Sequence, residues 1–248
     1  MKCWEENCDV ISPMFKFSAD VRKVMYTTNA TEAAIADFLG KNEDIQVKYI
    51  TTMFNDDKEM DPTCGITDEI LDDTDVLIWW SHSRYRDVDD EVVQKVYNAV
   101  NCGMGAIFLH SAHISKPFTK LMGTTCYLAW REGGKERLWN VCPSHPIMEG
   151  IGNYFDLSSE EVYCEHFDIP APDELLMIGT YATHEVFRSA CTWRRGNGKI
   201  FYFQPGHETN PTYYNENVQK IITNAVRWVA PTCRIAERLC PEIFPVEL

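Results

Sequence analysis

The sequence predicts an α/β fold, a mostly parallel sheet with helices on both faces. Three observations carry this. Short apolar runs recur along the chain, stretches with helical spacing separate them, and the runs are continuously apolar, not alternating. Strands buried on both faces read as continuous runs, and alternation of strand with helix builds a parallel sheet covered on both sides. With 248 residues, 45% of them hydrophobic, the chain can bury one substantial core.

The first strand has two candidates, residues 2–4 and "RKVMYTT" (22–28). The former is preferred, with a long loop after it. Ala34, Ile35, Phe38 and Leu39 then mark a helix over 31–39. "IQVKYITT" (45–52) and "DVLIWW" (75–80) read as strands. Val92, Val93, Val96, Tyr97 and Val100 repeat the helical spacing over 90–100, and "GAIFLH" (105–110) is the next strand. Residues 123–174 are rich in Trp, Pro, Gly and Glu without a clear period. They are expected to form an irregular insertion that closes over a site. "LLMIGTY" (175–181) is a strand. The turn "RRGNGK" (194–199) joins 185–193 to "KIFYFQ" (199–204) as an antiparallel hairpin. Val218, Ile221, Ile222, Ala225, Val226 and Val229 mark a final helix. Residues 1–231 are expected to form a single domain, and 232–248 a tail.

Charge and cysteine usage narrow the function classes. A net charge of -14 disfavours nucleic acid and anionic membrane surfaces as partners. No apolar run reaches the length of a membrane span, and the acidic start lacks a signal-peptide pattern. Ten scattered cysteines without a C-x-x-C pair fit neither a disulfide scaffold nor a zinc ribbon. A reducing cytoplasmic setting is expected.

The histidines carry the functional inference. His82 follows the strand 75–80, His110 ends the strand 105–110 with His113 one turn on, and His207 follows the strand 199–204. In a parallel sheet the carboxyl ends of these strands share one edge, where ligands bind. Against this stands the ordinary role of a histidine after a strand, a hydrogen-bonded loop residue. Glu208 is placed to orient an imidazole; the alternative is that it caps the next helix or faces solvent. The stretch "SSEEVYCEHFDIP" (158–170), if extended, turns Glu161, Tyr163 and Glu165 to one face. With His82, His113 and His207, Glu161 and Glu165 make an N/O ligand set for a divalent metal, zinc first and manganese or iron next. The alternative is a solvated acidic loop. Ser111 could serve as a nucleophile, but "HSAH" is not the G-x-S-x-G elbow, so a structural serine is favoured. Trp80, Trp130, Arg131 and Tyr163 are candidates for stacking on and hydrogen-bonding a sugar. Trp80 also fits a core position.

The segments "DVLIWWSH", "GMGAIFLHSAHISKPFTKLMGTTC", "EEVYCEHFDIPAPDE" and "EVFRSACTWRRGNGKIFYFQPGHETNPTY" resemble the ThuA-like trehalose-utilisation family, from about residue 65 to 231. The resemblance implies a flavodoxin-like three-layer fold of the class I glutamine amidotransferase type. In true amidotransferases a cysteine occupies the elbow after a central strand, paired with His-x-Glu. Here the elbow carries His110 and Ser111, and His207-Glu208 lacks the spacer, so thiol amidotransfer is not expected. The resemblance also implies a small-molecule sugar, trehalose or a 3-keto derivative, as ligand. The expected function is metal-assisted acid/base chemistry on that sugar, with His110 or Glu208 moving protons. The alternatives are hydrolysis by Ser111, His207 and Glu208, or a non-catalytic sugar-binding module. Homo-oligomerisation stays open.

Overall fold

The structure, a computed structural model, describes residues 22–26, 33–49, 61–82 and 85–235. Among the described residues, nine strands form one sheet in the order β2-β1-β3-β4-β9-β8-β7-β5-β6. They are β1 (Arg22–Tyr26), β2 (Ile45–Tyr49), β3 (Val76–Trp80), β4 (Gly105–Leu109), β5 (Ala129–Asn140), β6 (Tyr154–Cys164), β7 (Glu174–Tyr181), β8 (Val186–Arg195) and β9 (Gly198–Phe203). From β2 to β9 all neighbours are parallel, and from β9 to β6 all are antiparallel.

β3 and β4 sit at the centre of the parallel half, and every residue of VLIWW and GAIFL is buried. That is why their sequences show no alternation. The helices are α1 (Ala33–Leu39), α2 (Asp68–Asp72), α3 (Asp90–Asn101), α4 (Lys116–Met122) and α5 (Glu216–Val229). α1 packs with α5, while α2 and α4 pack with α3, giving the two outer layers. α3 buries Val92, Val93, Val96 and Val100, and α5 buries Val218, Ile221, Ile222, Val226 and Val229. Gly105 lets the end of α5 close on the start of β4, since a Cβ there would lie 2.5 Å from the Val229 carbonyl oxygen. Among the described residues no helix is long and apolar enough to cross a membrane, and no disulfide joins the described cysteines.

Two expectations are corrected. The slot between β2 and β3 is filled by Arg22–Tyr26, the alternative to residues 2–4; the preferred segment lies outside the described residues. Residues 123–174 are not irregular throughout. β5 and β6 pair antiparallel and extend the sheet. Their period is hidden because β5 is largely exposed and its pairing with β6 shifts register around Gly134. β6 also touches β8, three strands away in the sheet order, so the antiparallel half curls. The curl brings β6 back toward the carboxyl ends of β4 and β9.

Candidate metal centre and sugar pocket

Register sets the site. Trp80 pairs with Leu109 and Leu109 with Phe203, so the last residues of β3, β4 and β9 stand in one row. His82, His110 and His207 come two, one and four residues beyond that row. They meet there. The ring of His82 lies 4.7 Å from that of His207 and 5.4 Å from that of His110, and the His110 and His207 rings are 5.4 Å apart, all edge to face. Glu208 joins them, its Oε2 2.5 Å from His82 Nδ1 and 3.7 Å from His207 Nδ1. One donor atom from each of His82, His110, His207 and Glu208 falls within 4.8 Å of all the others. β6 contributes Glu161, with Oε2 3.3 Å from His110 Nε2 and Oε1 3.9 Å from His207 Nε2.

His110 opens a five-residue 3-10 turn, His110–Ile114, directly after β4. Its φ of 54° lies in the left-handed region, where a non-glycine residue is strained. Its Nδ1 is 3.2 Å from the Gln204 carbonyl oxygen. A carbonyl only accepts, so Nδ1 carries the proton and, in the neutral ring, Nε2 carries the lone pair. Burial first, then the neighbouring His82 and His207, hold His110 well below the ordinary imidazole range, so the ring is neutral. Its Nε2 is buried without a hydrogen-bond partner, facing the Glu161 carboxyl. Burial likewise lowers His207, and it raises Glu161 to about 7. At Glu208 burial acts upward, but the hydrogen bond from His82 and the two imidazoles nearby outweigh it, leaving the carboxyl below its ordinary range.

These residues fit a divalent cation. A lone pair on His110 Nε2 facing a carboxylate at 3.3 Å repels unless a proton or a cation lies between them. Three imidazoles with one or two carboxylates are a donor set for zinc, manganese or iron. The Gln204 carbonyl behind His110 stands where an outer support would orient a ligating imidazole.

A cavity of about 370 Å³ adjoins the cluster, lined among others by His82, Tyr85, Tyr127, Trp130, Glu161 and Tyr163. Tyr127 and Trp130 are about half exposed there, presenting ring surface to a ligand. A cleft of about 410 Å³ lies beside Asp68, Lys95, Asn98 and Arg234, near the start of β3, and no imidazole lines it.

The expected site residues divide. His82, His207 and Glu161 come together as read, and His110 and Glu208 join them as donors. His113 does not enter the donor group. Its Nδ1 is tied to the Cys126 carbonyl at 2.7 Å, it packs against Tyr163 and Phe167, and burial lowers it to about 4. Glu165 is held by Arg188 instead, through Nε and Nη2, each at 2.8 Å. Trp80 is 1% exposed, parallel to His110 at 6.2 Å, so it supports the cluster from below and offers no stacking face. Arg131 is engaged by Glu185 and Thr183. Tyr163 reaches the cavity wall and lies beside Ser111. Ser111 Oγ is buried with no imidazole bonded to it. Glu208 bonds His82 and lies farther from His207, so Ser111, His207 and Glu208 do not form a relay. Sequence reasoning missed Tyr85 and Tyr127, whose only signal was an aromatic residue close to a strand end.

A family model described as "ThuA: Trehalose utilisation" matches residues 20–229. No curated protein matches the sequence significantly. Among solved structures, a ThuA-like protein from Parabacteroides merdae superposes with a TM-score of 0.65 at 15% identity, covering 91% of this chain and 94% of that one. A cytoplasmic protein from Salmonella typhimurium gives 0.58 at 12% identity, with 86% and 100% covered. A glutamine amidotransferase from Thermotoga maritima gives 0.56 at 9% identity, with 86% and 99% covered. At such identities these likenesses establish the fold alone, flavodoxin-like and of the class I glutamine amidotransferase type.

Proposed function

Because this chain belongs to the ThuA family, whose description is trehalose utilisation, we propose that it is a cytoplasmic enzyme that eliminates or isomerises a keto-disaccharide. One observation carries the reading: the buried lone pair of His110 Nε2, 3.3 Å from Glu161, a residue that lines an aromatic-walled cavity. His82, His110, His207 and Glu208 would hold a divalent cation, zinc in the first instance. When bound, such a cation polarises a carbonyl oxygen as a Lewis acid.

The chain's own groups do the rest. Tyr127 and Trp130 stack against a pyranose face, and Tyr85 and Tyr163 close the walls. A 3-keto group acidifies the adjacent C–H, so a base there can start the reaction. Glu161 lines the cavity and faces the cluster from β6, so its carboxylate is placed for this role. In elimination its carboxylate takes the proton from that carbon, the C–H pair forms the new double bond, and the glycosidic C–O bond breaks. The leaving oxygen takes up a proton, which Glu161 can return. His110 supports Glu161 and does not itself transfer a proton, since it is fully buried and its Nδ1–H is held by Gln204.

The test is turnover of a 3-keto-disaccharide by wild type and by Glu161→Gln. Loss of a general base costs about 10²–10⁴-fold. The reading expects a fall of that size in kcat with KM nearly unchanged. Wild-type activity in the variant, or no turnover of any keto-disaccharide by wild type, would overturn it.

A further inference from the structure

The loop 204–208 carries two of the four donors, and His207 is preceded by Gly206, a residue restrained on three sides. The Trp80 indole N–H donates to the Gly206 carbonyl at 2.9 Å. The Gly206 φ is +139°, and a Cβ there would collide with the Tyr213 hydroxyl. The third restraint is Glu160, on β6 next to Glu161. Its Oε2 accepts from the Gly206 N–H at 3.1 Å and lies 3.5 Å from the His207 N–H, and its Oε1 accepts from the Thr212 hydroxyl. Glu160 is fully buried and lines no cavity described above.

A buried carboxyl with three donors on it is an expensive group to keep unless it holds something in place. The donors all belong to the segment that delivers His207 and Glu208. Strand alternation turns Glu161 to the metal-centre side, which sends Glu160 to the opposite face of β6. From there it reaches the backbone of the loop instead of its side chains. The structure assigns to Glu160 the role of positioning residue for the candidate centre: it fixes the Gly206–His207 peptide from behind, so that His207 and Glu208 face His82 and His110. Glu160 and Glu161 thus work as a pair from adjacent positions, one shaping the loop and the other facing the ligand.

This inference deepens the metal-centre reading, and its first readout is independent of that reading. Native-state hydrogen exchange would follow the Gly206 and His207 amides in metal-free wild type, Glu160→Ala and Glu160→Gln. A carboxamide oxygen can still accept from Gly206, and its NH2 can donate to Thr212. Glu160→Ala is expected to speed exchange at these two amides tenfold or more, with β4 and α5 amides unchanged. Glu160→Gln should stay within about threefold of wild type. Zinc titration is the second readout: outer supports of metal ligands typically contribute 10–100-fold in affinity. Glu160→Ala should weaken zinc binding by that factor and Glu160→Gln should recover it. Should Glu160→Ala fail to fold, Glu160→Asp, which withdraws the carboxylate by one methylene, takes its place with the same expected direction. Unchanged exchange at Gly206 and His207 overturns the assignment. Wild type that binds no zinc overturns the centre, while the exchange readout still decides Glu160.

Discussion

His110 occupies the strained position on the turn after β4, with φ in the left-handed region and its imidazole at the heart of the cluster. Such strain costs on the order of 1–3 kcal/mol and persists where the surroundings impose it. In an elbow of this kind the strained residue presents its side chain to the ligand, and here that residue is the histidine, not Ser111. Two outcomes follow. Asparagine tolerates the left-handed region but lacks the distal nitrogen, so His110→Asn should keep the melting temperature within a few degrees while zinc affinity falls at least 100-fold by calorimetry. An unchanged affinity would remove His110 from the donor set. Ser111→Ala should leave turnover within about threefold, and a loss of 10³-fold would restore the nucleophile reading. At this scale the sequence was partly legible. His82, His110 and His207 were recognisable because each lies within four residues of the end of an apolar strand. The exclusion of His113 and Glu165 was not, because it depends on the Cys126 carbonyl and Arg188, partners remote in the chain or carried by the backbone.

At the scale of elements, β3, β4 and β9 could be read because burial on both faces writes a continuous apolar run, and β8 because the turn 194–199 marks a hairpin. β5 and β6 could not, since β5 is mostly exposed and its register slips at Gly134. Yet those strands supply Glu160 and Glu161, and with β7 and β8 they enclose a buried polar network. Glu136 on β5 accepts from Ser189 at 3.1 Å and is fully buried, and burial raises its pKa to about 8. The unfolded carboxyl ionises near 4.5, so between these values the folded state holds the extra proton. Stability contributed by neutral Glu136 is therefore complete below about pH 4.5 and declines as pH rises toward 8, at about 1.4 kcal/mol per unit. Urea unfolding at pH 5.5 and pH 8 should show Glu136→Gln gaining on wild type by more than 1.5 kcal/mol across the interval. Equal slopes for the two proteins would contradict the burial account. The loop after β9 offers a second check: Gly206→Ala meets both a left-handed φ and the Tyr213 ring, and should lower stability by roughly 1–3 kcal/mol.

Across the whole molecule, the parallel half of the sheet sets three strand ends in a row, and the curled antiparallel half folds a carboxylate-bearing strand back over them. The parallel half delivers all four candidate donors, and β6 adds Glu161. The convergence of the histidines on one edge could be foreseen from alternation of strand and helix. The return of β6 could not, because it depends on a curl with no sequence period. The central claim is that this convergence holds a divalent cation, through His82, His110, His207 and Glu208. Elemental analysis of untagged protein, purified and then equilibrated with zinc, manganese or iron, tests it most directly. The account predicts one equivalent of metal per chain, lost in His82→Ala and in His207→Ala. A folded wild type holding less than a tenth of an equivalent, with its sugar turnover intact in chelator, would contradict it.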